Sequence, residues 1–331
     1  MTATTAPSTG EAAAPVVPAG TARAIEVRHL TKRFGAVKAV DDLTFTVEPG
    51  LVCGFLGPNG AGKTTTLRTL LGLVAPTSGD VTIGGERYAD LRRPMETVGA
   101  LLDASSFHPG RTARNHLRVL CAASGIDERR IDEVLLLAGL HDAADRRVGG
   151  FSTGMRQRLG LAAALLGDPG VLVLDEPATG LDPAGINWLR ELLRHFAHEL
   201  HRTVLLSSHL LAEMEHIADE IVIIADGRLV RQGPLQEMVR GVTSTVRVRA
   251  PRLDDLAVAL AAAGMRVQRD GDALTVLGAS TVTVGHHAFA NGIELSELTE
   301  VRGDLEDVFL QLTNGTPTMP PLPPGAQEVA A

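Results

Sequence analysis

Gly57-Pro58-Asn59-Gly60-Ala61-Gly62-Lys63-Thr64 stands between an apolar run, Leu51-Val52-Cys53-Gly54-Phe55-Leu56, and the stretch Thr65-Thr66-Leu67-Arg68-Thr69-Leu70-Leu71. Strand, glycine loop, helix is the context that turns such a run into a phosphate cradle. Glycines let backbone N–H groups turn inward around phosphate oxygens, where a Cβ would obstruct. The start of the following helix adds partial positive charge beneath them. Lys63 is placed to reach the β and γ phosphates, and the Thr64 hydroxyl to ligate Mg²⁺, with Thr65 next on the same turn. The expected ligand is a nucleoside triphosphate.

Further along, Val171-Leu172-Val173-Leu174-Asp175-Glu176-Pro177 reads as a buried strand ending in two acids. Asp175 suits a carboxylate that holds Mg²⁺ directly or through water, and Glu176 one that polarises the attacking water. Taken alone, the run could equally be a strand ending in solvated acids. The phosphate loop in the same chain makes the catalytic reading the stronger one.

The chain has 331 residues, room for two domains, and its 44% hydrophobic and 21% charged content is that of a soluble globular protein. A net charge of −8 disfavours a general nucleic-acid binder, and 3% aromatics leaves little for a base-stacking platform. No apolar stretch approaches the roughly 20 residues that span a bilayer. A membrane function therefore requires another chain to do the spanning. Cys53 and Cys121 have no metal-ligand neighbours and read as buried structural thiols.

Residues 1–24, rich in Ala, Thr and Pro, read as an unstructured tail without the basic start of a secretory signal. Strands are expected from residue 25 and at 43–47, 51–56, 81–83, 98–101, 171–174, 204–206 and 221–224, with helices between them. That alternation predicts an α/β domain over residues 25–240 with a largely parallel sheet. Residues from about 105 to 166 show no strand pattern and predict an inserted helical subdomain, with helices at 114–123 and 129–137. After Arg240 the pattern changes. Strands at 245–249, 266–269, 273–277 and 293–298 and helices at 253–263, 281–291 and 305–312 predict a small α+β, ferredoxin-like domain over 244–313. The Pro-rich residues 314–331 read as a second unstructured tail.

Upstream of the acidic strand lies Phe151-Ser152-Thr153-Gly154-Met155-Arg156-Gln157-Arg158-Leu159. It resembles the signature motif of ABC transporter ATPases, with Ser152 and Gly154 matching and Phe151, Thr153 and Met155 departing. In isolation it reads as a helix capped by Ser152 or Thr153. Other family positions follow in order. Gly180-Leu181-Asp182-Pro183 resembles the loop lying between the two sites of a dimer. Ser207-Ser208-His209 resembles the switch histidine that touches the γ-phosphate. Phe34 resembles the aromatic that stacks on adenine, a core phenylalanine being the alternative. Where the family has a glutamine that senses Mg²⁺, this chain has Leu102-Asp103-Ala104. Asp103 is shorter and anionic, able to contact a metal-bound water or to serve only as a loop acid.

The resemblance spans about residues 25–240. It implies a P-loop NTPase fold of the ABC ATPase type that binds and hydrolyses ATP with Mg²⁺. It also implies pairing as a homodimer or with a second ATPase subunit, each ATP being held between one subunit's phosphate loop and the other's Ser152, Thr153 and Gly154. The partners implied are transmembrane permease subunits on separate chains, which would place this chain in the cytoplasm on the inner face of the membrane. With Asp103 and the C-terminal run Leu305-Glu306-Asp307-Val308-Phe309-Leu310, the pattern looks most like ATP-binding subunits of bacterial drug or peptide-antibiotic exporters. Two alternatives are a soluble ABC ATPase acting on ribosomes or DNA and a non-hydrolysing regulator. The intact Lys63, Asp175, Glu176 and His209 argue against the second.

Overall fold

The computed structural model describes residues 20–103, 107–208, 211–240 and 245–301, together with Leu305 and Phe309. Through residue 240 the elements are β1 (Ile25–Phe34), β2 (Val37–Val47), β3 (Val52–Leu56), α1 (Lys63–Leu70), β4 (Ser78–Ile83), α2 (Pro94–Thr97), β5 (Val98–Leu101), α3 (Ala113–Ser124), α4 (Arg129–Leu137), α5 (Thr153–Leu165), β6 (Val171–Asp175), α6 (Pro183–Arg194), β7 (Thr203–Ser208), α7 (Leu211–Ile217), β8 (Glu220–Ala225), β9 (Arg228–Pro234) and α8 (Leu235–Arg240).

The main sheet has the order β5-β6-β7-β3-β8-β9, parallel except for the last pair. Every residue of β3 is buried. A strand covered on both faces has no polar side, which is why its sequence is a continuous apolar run. β1, β2 and β4 depart from the expected parallel sheet and form a separate antiparallel one, order β2-β1-β4. Only Gly35 and Ala36 separate β1 from β2, too short a link for the crossover that parallel pairing needs. β9 was not expected either. It turns back on β8 through Asp226 and Gly227, both at positive φ (49° and 77°), and is a polar edge strand ending in Pro234.

Among the described residues from 107 to 166 there is no strand, and α3, α4 and α5 share a core built on Leu117, Cys121, Ile131, Leu135 and Leu159. This subdomain is fastened to α6 by Trp188. Its indole N–H donates to the Leu137 carbonyl at 3.1 Å, and Arg158 lies 4.5 Å over its ring. Cys53 and Cys121 are free and buried, and burial pushes both thiols up.

The chain is ordered earlier than expected. Thr203 donates its hydroxyl to the Arg23 carbonyl at 2.7 Å, and Arg23 pairs with Glu86, so residues just before β1 lie against the domain. The rest of that tail, residues 1–19, and residues 314–331 lie outside the described residues.

Beyond residue 244 come β10 (Thr245–Arg249), α9 (Leu253–Ala262), β11 (Arg266–Asp270), β12 (Ala273–Leu277), α10 (Thr281–Ala290) and β13 (Glu297–Val301). The sheet order β11-β12-β10-β13 is antiparallel throughout, the β-α-β-β-α-β succession expected from the sequence. Its apolar cluster is its own, centred on Val246, Val248, Leu256, Leu260 and Val276. The last strand was expected at 293–298 and lies four residues later. The Ile293 amide instead closes α10 on the Ala288 carbonyl at 3.0 Å, and its side chain is buried. Of the helix expected at 305–312, only Leu305 and Phe309 are described. Leu305 is fully buried in the core cluster of the larger unit, its amide donating to the Glu215 carboxylate. No helix among the described residues is long and apolar enough to cross a membrane.

Candidate functional site

The loop after β3 is shaped by close backbone approaches. Gly62, at φ 102°, caps α1, and a Cβ there would lie 2.5 Å from the Ala39 carbonyl oxygen. At Gly57 a Cβ would meet the Ile224 carbonyl oxygen at 2.5 Å. Between them run Pro58, Asn59, Gly60 and Ala61. The Lys63 side chain is buried along this loop, its ammonium donating to the Gly57 carbonyl at 2.6 Å and the Pro58 carbonyl at 3.2 Å. Burial lowers its pKa, and the charges of Glu176 and Asp175 act in the opposite direction.

Thr64 and Asp175, 111 residues apart, meet at 2.9 Å, the hydroxyl donating to the carboxylate. α1 delivers the first and the end of β6 the second. The other Asp175 oxygen accepts from Ser207 at the end of β7. Glu176 leaves the strand at φ 49°, a left-handed conformation that a side chain disfavours. Its backbone makes four bonds there, one of them the Thr179 amide donating to its carbonyl at 3.2 Å. Its amide donates to the Ser207 carbonyl at 3.2 Å and the Ser207 hydroxyl at 3.1 Å, while its carbonyl accepts from the Gln157 amide at 3.1 Å. Thr179 donates to its carboxylate at 3.3 Å.

A cavity of about 370 Å³ opens over these groups, with Thr64, Asp103, Thr153, Arg156, Gln157, Asp175, Glu176 and Thr179 in its wall. The structure thus gathers Thr64, Asp175 at the end of β6, Glu176 just beyond it, and Asp103 around one cavity. Chemically the cavity offers a hydroxyl and a carboxylate suited to a hard divalent cation, and a separate carboxylate able to take a proton.

The remaining residues singled out in the sequence fall around it. Ser152 caps α5, its hydroxyl accepting from the Met155 amide at 3.2 Å, and Gly154 packs where a Cβ would lie 3.1 Å from the Gly180 carbonyl oxygen. Asp182 caps α6 by accepting from the Gly185 amide at 2.8 Å. Phe34 is 51% exposed with the Lys32 ammonium 4.7 Å from its ring centroid, which excludes the core alternative. His209 lies outside the described residues.

The sequence reading missed Gln157, Arg156, Thr179 and the bridging role of Ser207. Gln157 carried no signal of its own, because it stands between Arg156 and Arg158 in the first turns of α5.

The family described as ABC transporter matches residues 40–179, and a family described as a domain of unknown function matches residues 244–306. The chain is 36% identical to a bacitracin transport ATP-binding protein of Bacillus licheniformis over 298 residues, 88% of this chain and 97% of that one. It is 36% identical to a lantibiotic transport ATP-binding protein of Streptococcus pyogenes over 206 residues, 62% of this chain and 89% of that one. A solved structure of an ATP-binding subunit of an ABC transporter superposes with a TM-score of 0.60 at 32% identity, covering 65% of this chain and 92% of that one.

Proposed function

The chain belongs to the ATP-binding subunits of ABC transporters, and from that premise we propose that it closes in pairs over ATP to drive a separate membrane permease exporting a peptide antibiotic or drug-like compound. It is an ATPase whose hydrolysis is coupled to transport. The observation that carries the mechanistic reading is the convergence of Thr64, Asp175 and Glu176 on one cavity beside the phosphate loop.

In this reading the amides of residues 59–65 cradle the β and γ phosphates, and Lys63 exchanges its loop carbonyls for phosphate oxygens. Phe34, exposed at the tip of β1, stacks on adenine. Mg²⁺ fits the site. Thr64 and Asp175 would hold it with one oxygen each, a hydroxyl from α1 and a carboxylate from the end of β6. When bound, the metal neutralises charge on the transferring phosphoryl group. Asp103 would face the bound metal from the cavity wall. Glu176 accepts the proton of the attacking water, and His209 contacts the γ-phosphate. Ser152, Thr153 and Gly154 reach the nucleotide held by a partner, which is either a second copy or a paired ATPase subunit, and Asp182 lies between the two sites. The permease would hold the pair at the inner face of the membrane. The bacitracin and lantibiotic relatives support a peptide-antibiotic cargo.

Glu176→Gln tests this. Without the proton acceptor, the variant with MgATP is expected to accumulate as a closed dimer, read as a doubling of mass by light scattering, while turnover falls by about three orders of magnitude. A variant that turns over at the normal rate sinks the assignment, and one that stays monomeric in MgATP sinks pairing with a second copy.

A further inference from the structure

Glu176 adopts a conformation that a residue with a β-carbon holds only when its surroundings impose it. Two elements do so. β7 supplies Ser207 to its amide, and α5 supplies Gln157 to its carbonyl, 19 residues away in sequence. Gln157 is 5% exposed, most of its side chain being packed inside the domain. The helix that carries Gln157 is the one that Ser152 caps.

A second fastening lies a few residues further along. Gly180, at φ 78°, sits so close to α5 that a Cβ there would be 2.5 Å from the Thr153 methyl group. The segment from Glu176 to Gly180 is therefore attached to the start of α5 at both ends. Between the two attachments, Thr179 holds the Glu176 carboxylate.

We propose that Gln157 is a positioning residue that ties the Glu176 carboxylate to the signature turn of its own subunit, so that hydrolysis at one nucleotide depends on engagement of the other. The proposal rests on the paired reading above, in which Ser152 and Gly154 seat on the partner's ATP. That seating fixes the first turns of α5. Gln157 then fixes the Glu176 peptide, and the carboxylate of this subunit is aimed at its own nucleotide. An unengaged signature turn leaves α5 free to shift and takes the Glu176 peptide with it.

The test uses the full-length chain with Gln157→Met, which keeps size but cannot donate, and Gln157→Glu, which donates only when protonated. Gln157→Met is expected to lower kcat about tenfold, the scale of one lost buried hydrogen bond, while MgATP affinity stays near that of the parent and Tm falls by only about a few degrees. Gln157→Glu is expected to approach the parent as pH falls from about 8 to about 6, because burial raises its carboxyl pKa and the protonated form donates to the Glu176 carbonyl again. The ratio to the parent is the readout. An unchanged kcat in Gln157→Met overturns the proposal. So does a kcat that falls only in step with affinity and Tm, with a Gln157→Glu ratio flat in pH. Pairing is checked separately by the mass of Glu176→Gln in MgATP. A dimer there with an unaltered Gln157→Met rejects Gln157 alone, and no dimer rejects the dependence between sites.

Discussion

Two glycines of the phosphate loop separate the two reasons a glycine is required. Gly60 and Gly62 both have positive φ, 84° and 102°. Around Gly60 a Cβ would meet nothing within 4 Å, whereas at Gly62 it would lie 2.5 Å from a backbone carbonyl. Gly60→Ala therefore costs the left-handed conformation alone, roughly 1–2 kcal/mol. Gly62→Ala adds a clash that only backbone movement relieves, and α1 begins at that residue. Urea unfolding should show the larger loss at Gly62, together with weaker ATP binding; equal losses would contradict the steric account. The sequence announced these positions because spacing alone specifies them. It could not announce that Lys63 turns onto the Gly57 and Pro58 carbonyls, since that contact depends on the folded loop and not on the spacing of its residues.

At the scale of elements, legibility followed periodicity. α4 (Arg129–Leu137) was read at its observed bounds because Ile131, Val134 and Leu135 mark one helical face. β9 escaped because an edge strand with Arg228, Arg231 and Gln232 has no apolar alternation, and its only signal was the Asp226-Gly227 turn. The pairing of β1, β2 and β4 escaped because the class argument counts strands and does not say which share a sheet. α3 carries a pH dependence that its sequence does not display. His116 packs edge-on to Phe107 at 4.9 Å, and burial, then the charge of Arg111, lowers its pKa. A histidine with a folded pKa below its unfolded value contributes stability that is complete above the ordinary value of 6.5 and is lost as pH falls from there through the folded value. The Tm of the parent should therefore drop faster on acidification below that value than the Tm of His116→Leu. Parallel Tm curves from pH 8 to pH 5, roughly the span over which histidines titrate, would remove His116 as a source of acid lability.

At the scale of the whole molecule, the two sheet systems keep separate cores, yet the chain returns from the small unit to the large one. Leu305 follows β13 and is 0% exposed within the cluster that contains α7, with its amide on Glu215. A residue four positions beyond the end of the small sheet thus completes the core of the ATPase unit, beside α7. Truncating it to alanine should cost about 2–5 kcal/mol, the range for an interior leucine. Where that loss appears is the informative part. Trp188, the single tryptophan, sits on α6 in the ATPase unit and reports that unit's unfolding. Leu305→Ala should move the Trp188 transition to lower denaturant. Leu256→Ala, an equally buried deletion inside the small unit's own cluster, should leave that transition in place. If both variants shift Trp188 alike, the two cores unfold as one body. If neither does, Leu305 is not a strut of the ATPase unit, and the small unit is tied to it only through the chain at residues 241–244.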